Sequence, residues 1–479
     1  MNRRVLAWLF STISSAFGSP ANSVTMPCRN GIFILKYCLY FVMKNKSLSR
    51  RTYLKLAGTA GVAGLSGCIN EMGGTATTQS EEGGTVHFLN DRGAREVWEA
   101  AAEEFKSQSN YEIEITWLPK GTSTNEQLAK MRAAGNLPAL IFETSADCYS
   151  ETAQGLTEPL TDVVEELGVK DTVNVDGESY MVPGVAIPLN MFYRTDVVEG
   201  DPRTWSEWQA EAERIQGETG QSAYVVPSGR TNAASTHTNQ ILWNGGVDPY
   251  SGTGDVIEVN IDQGENRELA IGAFEWLQTM NEYGPQASGW GWGDLMGALI
   301  QEQLVAWAGI GGLAIQQILA NRPELAPEFT AAPYPVADDQ DPTQWWSYFE
   351  GMYSYRDAEN TEGAKEFLTF FLQSDYYFEF LRGTAPFNMP TSKTGLRDDR
   401  YASAEVFQTH PEFLDLAEDN WEDMAPVLNT GDNRAPNIIA ANAYSEQVHG
   451  QAADKLLNGG LSPEETVDWL AENLRARKA

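Results

Sequence analysis

The chain contains few cysteines and few histidines, four of each among 479 residues. Of the cysteines Cys28, Cys38, Cys68 and Cys148, only Cys148 follows Cys68, so the part of the chain after Cys68 cannot form an internal disulfide. The histidines are scattered, and neither His-Glu-x-x-His nor Cys-x-x-Cys occurs. The sequence therefore predicts no metal site of these kinds and no cofactor.

Two motifs of catalytic proteins are also missing. The chain has no Gly-x-x-x-x-Gly-Lys-Ser/Thr phosphate loop and no Gly-x-Ser-x-Gly nucleophile turn, which argues against an ATPase and against a hydrolase of that type. After Cys68 no apolar run reaches 18 residues, so no membrane-spanning segment is predicted there.

Basic residues are scarce, with 33 Lys and Arg against 66 Asp and Glu and a formal net charge of −33. Nine of the basic residues and none of the acidic ones lie within residues 1–68, so the remainder is still more acidic. Such a charge repels nucleic acid and anionic membranes, and we expect neither as a partner of the folded body. We interpret the dispersed acidity as a surface adapted to high salt, typical of haloarchaeal proteins.

The segment from Ser47 to Asn70 has the order of an export signal. It begins with Arg50 and Arg51, continues with a short apolar run, and closes with Leu-Ser-Gly-Cys at Cys68. About ten apolar residues are too few for a permanent membrane helix. The segment resembles a twin-arginine lipoprotein signal, which implies cleavage before Cys68 and a lipid on its sulfur. The simpler alternative is an Arg pair beside a buried Ala/Gly helix.

The residues around this signal are not expected to belong to the folded body. Residues 1–42 precede Met43 and are interpreted as a spurious upstream extension, although the apolar run 31–42 alternatively forms a short membrane segment. Residues 43–68 are the expected signal, and 69–84, rich in Gly, Thr, Ser and Glu, are a predicted flexible tether. The predicted location is the extracellular face of the cell membrane, held by the lipid anchor.

Strand and helix patterns alternate through the body. Thr85–Asn90, Tyr111–Leu118 and Leu137–Phe142 have strand patterns, and helical patterns separate them. Capping boxes at Thr204–Glu207 and Ser462–Glu465 predict helix starts. This alternation favours an α/β fold with a parallel sheet.

Several stretches carry a family likeness. The most specific are Tyr180–Pro183, Met191–Asp196 and Pro202–Glu207, in that order and spacing. Others are Gly135–Ile141, where Ala139 replaces the family's usual Asp, and Trp243–Gly246, Val305–Gly311 and Ala364–Leu372. Over roughly residues 84–475 the chain resembles the family 1 extracellular solute-binding proteins of ABC transporters, of the maltose-binding type.

The resemblance implies a fold of two α/β lobes with the ligand cleft between them, joined by crossings near 185–189, 347–351 and 386–390. The expected lobes are 85–187 plus 349–388, and 188–348 plus 389–479. It implies a monomeric binding protein rather than an enzyme. Such a protein would capture a sugar or oligosaccharide and deliver it to ABC permease and ATPase subunits.

Ligands of open α/β sheets bind beyond the carboxyl ends of the strands. Polar side chains at those ends and aromatic rings suit sugars, whose hydroxyls need hydrogen bonds and whose C–H faces stack on rings. The candidates are Asn90, Asp91, Thr122, Thr144, Ser145, Trp243, Asn244, Trp290, Trp292, Gly311, Trp345, Trp346 and Glu350. Ordinary alternatives are an N-cap role for Asp91, helix packing for Trp243 and a solvated position for Glu350.

The sequence leaves open other ligands for the same fold and one other class of protein. The same fold would serve a polyamine, a polyol phosphate or ferric ion, and Tyr376–Tyr377 resembles the paired tyrosines of ferric binders. A secreted carbohydrate-active enzyme would need two carboxylates about 5 to 10 Å apart across a cleft.

Overall fold

The computed structural model describes residues 83–90, 93–118, 124–252, 257–340, 345–426, 429–430 and 435–478. The predicted signal, Cys68 and nearly all of the tether lie outside the described residues, as do the candidate ligand residues Asp91 and Thr122. None of the helices in the described ranges is long and apolar enough to cross a membrane.

Strands and helices alternate at the start of the described chain, as the pattern predicts. The elements are β1 (Thr85–Asn90), α1 (Arg95–Gln108), β2 (Glu112–Trp117), α2 (Thr124–Ala134), β3 (Leu140–Thr144), α3 (Ser145–Ala153), α4 (Thr161–Leu167), β4 (Asn174–Val175) and β5 (Glu178–Ser179). β1 pairs in parallel with both β2 and β3. We call the part of the fold around these three parallel strands lobe 1.

Two long strands connect lobe 1 to the rest of the fold. β6 (Val182–Arg194) is buried at all 13 residues and runs antiparallel to β13 (Trp345–Tyr353) over its first half. Over its second half β6 pairs with β11 (Ala306–Ile310) and β12 (Phe329–Ala332). β13 also pairs with β3 and, at its start, with β14 (Met424–Pro426). One sheet, in the order β11-β6-β13-β3-β1-β2, therefore continues across the fold.

The elements between β6 and β13 form the centre of what we call lobe 2. They are α5 (Trp205–Thr219), β7 (Pro227–Ser228), α6 (Asn232–Asn244), β8 (Tyr250–Ser251), β9 (Glu258–Val259), α7 (Gly264–Met280), β10 (Ala287–Ser288), α8 (Trp292–Ile300) and α9 (Leu313–Asn321), besides β11 and β12. The predicted capping box at Thr204 and Glu207 begins α5. Trp205 and Trp276 stack in the core, with ring centroids 5.2 Å apart.

The rest of the chain is mainly helical. The helices are α10 (Thr361–Gln373), α11 (Asp375–Arg382), α12 (Lys393–Leu396), α13 (Asp399–Ala402), α14 (Val406–Thr409), α15 (Glu412–Asp419), α16 (Ile438–Ser445), α17 (Val448–Leu457) and α18 (Pro463–Arg475), with β15 (Asn429–Thr430) and β16 (Ala435–Pro436) between α15 and α16. α10 and α11 return to lobe 1 and pack on α1, whereas α17 and α18 pack on α7. Extended backbone at Ser374 ends α10 and separates it from α11.

A third connection passes beside the middle of β6. Ala186 exchanges two backbone hydrogen bonds of 2.9 Å with Met389. Gly311 lies here with φ +50°, and a Cβ on it would be 2.6 Å from the Phe387 carbonyl oxygen. Gly311 therefore packs at this connection, where its missing side chain permits close backbone approach.

Candidate functional site

Four side chains from lobe 2, β13 and α16 form one hydrogen-bonded group, which we call the cleft cluster: Asn232, Thr236, Tyr348 and Tyr444. The Tyr348 hydroxyl donates to Asn232 Oδ1 at 3.2 Å, and Asn232 Nδ2 donates to the Tyr444 hydroxyl at 2.6 Å. The Thr236 hydroxyl contacts that of Tyr348, and the two tyrosine rings lie 5.8 Å apart. Asn232 is the first residue of α6, so the cluster lies at a helix N-terminus, where backbone N–H groups favour acceptor groups of a ligand.

Burial keeps both phenols of the cluster protonated. It raises the pKa of Tyr348 to about 12, with a smaller contribution from the charge of Glu350. Burial also raises the pKa of Tyr444 well above its ordinary value, and the negative charge of Asp147 acts in the same direction. Each hydroxyl therefore both donates and accepts at neutral pH, as hydrogen bonding to a polyhydroxylated ligand requires.

Lobe 1 brings carboxylates to the cluster. Thr144 ends β3 and caps α3, accepting from the Asp147 backbone N–H at 3.2 Å, and its hydroxyl donates to the Asp147 carboxylate. Glu350 lies directly opposite Thr144 in the β3–β13 pair. Glu350 lies two residues along β13 from Tyr348, on the same face of the strand, and Asp147 lies in α3, which packs on the α16 helix of Tyr444, so the elements that carry both carboxylates lie beside the cluster. Thr144 and Glu350 are thus two predicted residues that the fold brings together.

Two loops of lobe 2, which follow the parallel strands β7 and β10, lie beside the cluster. β7 and β10 pair with Pro227 opposite Ala287 and Ser228 opposite Ser288, and Gly229 and Gly289 follow with φ +95° and +78°. Trp290 comes next in one loop and Arg230 in the other. The Thr231 hydroxyl accepts from the Ala234 N–H as the N-cap of α6 and donates to the Trp290 carbonyl at 3.0 Å. Trp290 is therefore held next to the first turn of α6, and Arg230 is exposed.

The alternation of side chains along β13 places Trp346, Tyr348 and Glu350 on one face. The α6 helix crosses this face, with Thr236 against Tyr348 and Trp243 stacked on Trp346 at a ring-centroid distance of 3.2 Å. Trp346 is buried, whereas Trp243 is half-buried. The predicted tryptophan pair therefore lies on the same face of β13 as the cluster, further along α6.

Other predicted residues lie in structural contacts. Trp345 is on the opposite face of β13, and its indole N–H donates to the Leu189 carbonyl at 2.8 Å. The Asn244 amide donates to the carbonyls of Tyr334 and Pro335, and the Trp292 ring packs 6.0 Å from that of Trp307. Asn90 and Ser145 are buried at the end of β1 and the start of α3, and Gly311 lies at the third connection.

Sequence reasoning missed all four residues of the cleft cluster. Tyr348 had a usable signal, because it lies between the predicted Trp346 and Glu350 at strand spacing. Asn232 and Thr236 follow Thr231, an N-cap residue after a strand, which is also a recognisable signal. Tyr444 lies 212 residues from Asn232, and no local pattern connects the two.

The geometry gives no support to a ferric-ion site. Among the residues that the structure describes, no three His, Cys, Asp or Glu side chains form a group that could hold a metal ion. The hydroxyl of Tyr376 donates to Glu104 at 2.8 Å, whereas that of Tyr377 accepts from the Thr391 backbone N–H. The two tyrosines thus have separate partners in lobe 1 and do not form a pair of ligands.

A sheet that continues through two α/β lobes, with a polar cluster where the lobes meet, defines a two-lobe binding protein. Residues 92–377 match the family model described as bacterial extracellular solute-binding protein, which is more than half of the chain. The chain belongs to this family, whose members are substrate-binding proteins rather than enzymes.

Solved structures agree on the fold. The GacH receptor of Streptomyces glaucescens, solved unliganded and with acarbose, is 16% identical with a TM-score of 0.63, covering 82% of this chain and 98% of its own. Maltose-bound MalE3 of T. maritima is 17% identical with a TM-score of 0.62, covering 82% and 99%. A solute-binding protein of Agrobacterium radiobacter K84, in complex with ribitol, is 17% identical with a TM-score of 0.62, covering 83% and 98%.

Proposed function

We propose that the chain is the extracellular receptor of an ABC importer and binds a sugar or oligosaccharide between its lobes. The observation that carries this proposal is the cleft cluster, which gathers two protonated phenols, an amide and a threonine hydroxyl beside the carboxylates of lobe 1. Hydroxyl, amide and carboxylate groups match sugar hydroxyls, and the half-buried rings of Trp243 and Trp290 match sugar C–H faces. The similar folds include proteins solved with maltose, acarbose and ribitol.

Membrane attachment is the second part of the proposal. The twin-arginine segment and Cys68 support export and lipid anchoring, and the acidic body supports function in high salt. A lipid on Cys68 would hold the receptor near its permease. The mass of the N-terminal peptide from native membranes would test this, because a lipidated Cys68 as the first residue is expected and an unmodified chain would contradict it.

A polyamine is the alternative ligand, and the carboxylates of Asp147 and Glu350 beside aromatic rings favour it. Carboxylates pair with ammonium groups, and aromatic faces attract them. A polyol phosphate is less favoured on this side of the cluster, because the same two carboxylates repel phosphate.

The test uses the compact unit Gln79–Ala479 in high salt with sugars, polyols, polyamines and a phosphorylated polyol. Ligand binding to the native state raises the unfolding midpoint by mass action. We expect a shift with a sugar or polyol and about tenfold or greater loss of affinity in Asn232→Ala. A shift with polyamines alone would replace the sugar by a cation. Sugar that is consumed during incubation would overturn the receptor proposal.

A further inference from the structure

A second polar site lies at the other end of α6, apart from the cleft cluster. It is a cavity of about 20 Å³, large enough for one water or one ion of similar size. Its lining residues come from α6, the segment after β12, the start of β13 and the link between α15 and β14: Gln240, Asn244, Pro333, Tyr334, Trp345, Asn420 and Asp423. Gln240, Tyr334 and Trp345 are buried and form its inner end, whereas Asp423 is exposed and forms its mouth.

The orientation of the amide groups in this cavity follows from their partners. Asn244 Nδ2 lies within hydrogen-bond distance of two backbone carbonyls, those of Tyr334 and Pro335, so its nitrogen must face them. Asn244 Oδ1 then accepts from Gln240 Nε2 at 2.6 Å. Asn420 Nδ2 likewise donates to a backbone carbonyl, that of Leu416, at 2.8 Å. The amide nitrogens of Gln240 and Asn420 are thus used, and their oxygens remain as acceptors.

The remaining polar groups of the cavity are oxygens. Gln240 is 3% exposed and Tyr334 is 4% exposed, and neither Gln240 Oε1 nor the Tyr334 hydroxyl has a hydrogen-bond partner among the described residues. Asp423 adds a carboxylate, and in the described part of the chain that carboxylate makes no ion pair. A buried acceptor without a donor is unfavourable, so the inner end of the cavity requires an occupant.

We propose that this cavity binds a single monovalent alkali cation, such as K⁺ or Na⁺. Neutral amide and hydroxyl oxygens with one carboxylate form an all-oxygen ligand set, which is the set that hard cations prefer. One carboxylate balances one positive charge, whereas a divalent ion would leave a net charge at a half-buried site. Entry through Asp423 keeps the ion in exchange with a salt-rich medium.

The site joins the C-terminal region to the connection between the lobes. The Trp345 backbone N–H donates to the Asp423 carbonyl at 3.0 Å, and the Trp345 indole donates to the Leu189 carbonyl in β6. A bound cation would therefore hold the link after α15 against the strands that cross between the lobes, and would stabilise the native state in proportion to its occupancy.

Thermal unfolding of the unit Gln79–Ala479 in KCl, NaCl and choline chloride at equal ionic strength tests this inference, because screening is then equal and only specific binding differs. We expect a midpoint higher by about 2 °C or more in KCl or NaCl. The difference should disappear in Asp423→Asn and Gln240→Leu and persist in Asp419→Asn, an exposed carboxylate at the end of α15. If Gln240→Leu does not fold, the result for Asp423→Asn alone decides the test.

Crystals grown in rubidium chloride supply the direct measurement. An anomalous peak in the cavity, lost in Asp423→Asn, would support the inference. A water in place of a peak would overturn it, and so would a cation effect on unfolding that persists in both cavity variants. Neither outcome bears on sugar binding at the cleft cluster.

Discussion

Tyr348 and Asn232 are joined by a 3.2 Å hydrogen bond between a strand that crosses between the lobes and the first turn of a lobe 2 helix. The bond fixes the Tyr348 ring over the N-terminus of α6, and Tyr444 completes the group from α16. Thr144 of lobe 1 lies opposite Glu350 in the β3–β13 pair, and Glu350 lies two residues along β13 from Tyr348, so polar groups of both lobes lie near this point.

Replacement of Tyr348 by Phe should weaken ligand binding more than it weakens the fold. The change removes one hydroxyl that bonds Asn232 and Thr236 and keeps the ring. Each such bond contributes about 0.5–1.5 kcal/mol, so we expect ~10-fold weaker binding in calorimetry with whichever ligand the panel identifies. Tyr193→Phe, which removes a bond to Asp201 in lobe 2, is the matched control and should bind normally. Equal affinity in both variants would place the ligand elsewhere.

Buried His237 should make stability fall in mild acid. Burial lowers its pKa from 6.5 to about 3, and its Nε2 lies 3.0 Å from the Tyr224 hydroxyl. The unfolded chain takes up a proton below pH 6.5 that the folded chain takes up only near pH 3, so stability is complete above pH 6.5 and is lost as pH falls between these values. At pH 5 the loss is about 2 kcal/mol.

Denaturant unfolding at pH 7 and pH 5, in the wild type and in His237→Gln, measures this loss of unfolding free energy. In His237→Gln the loss between pH 7 and pH 5 should be smaller by about the amount given above for His237. His87→Gln is the control, because the His87 side chain is 43% exposed on a face of β1. If the unfolding free energy of His237→Gln depends on pH as strongly as that of the wild type, other groups dominate the loss of stability in acid. One such group is buried His449, because burial lowers its pKa to about 4.

Removal of the Trp98 ring should cost lobe 1 several kcal/mol. Trp98 is fully buried, stacks on Phe371 at 3.9 Å and contacts Phe88, Phe142 and Phe380. Trp98→Ala leaves a cavity among these rings, and we expect a loss of about 3–5 kcal/mol in chemical denaturation. Trp98→Phe fills most of the space and should lose less. A loss below 1 kcal/mol for the Ala variant would contradict this packing.

A methyl group at Gly312 should disturb the third connection. A Cβ there would lie 2.2 Å from Pro386 Cγ, so Gly312→Ala must displace the segment that passes beside β6. We expect a loss of about 1–3 kcal/mol and altered ligand affinity. Gly217→Ala is the control, because Gly217 lies inside α5 with open space around its Cβ position. That variant should gain about 0.5–1 kcal/mol.

The fold was predictable where the pattern was local. β1, α1, β2 and β3 follow from alternation, and Thr204 and Ser462 cap the helices that their capping boxes predict. β6 is one strand although it contains two prolines. Pro183 lies beside the register shift between Glu350 and Gly351, and Pro188 lies at the last pair with β13, so both occupy positions where a ladder tolerates a missing N–H.

The site was predictable only in part. The rule that ligands bind beyond strand ends selected Thr144, and the suitability of aromatic rings and carboxylates for sugars selected Trp346 and Glu350. Trp345, selected for the same aromatic character, faces the other way, because neighbouring residues of a strand point to opposite faces. Tyr444 depends on the packing of α16 between α3 and α6, which tertiary structure alone determines.

β6 pairs first with β13 and then with β11, and the point where it changes its partner strand is where the molecule can bend at a low cost in free energy. Pro188 is the last residue paired with β13, and Leu189 is the first paired with β11. A torsion between these two residues would turn one set of strands against the other and keep the strand pairs of both ladders, and proline has no N–H that the motion would break. It would strain the backbone hydrogen bond from the Gly311 N–H to the Pro188 carbonyl. The stiffness of the molecule at this point therefore depends on that bond and on the side chains that pack beside this one peptide.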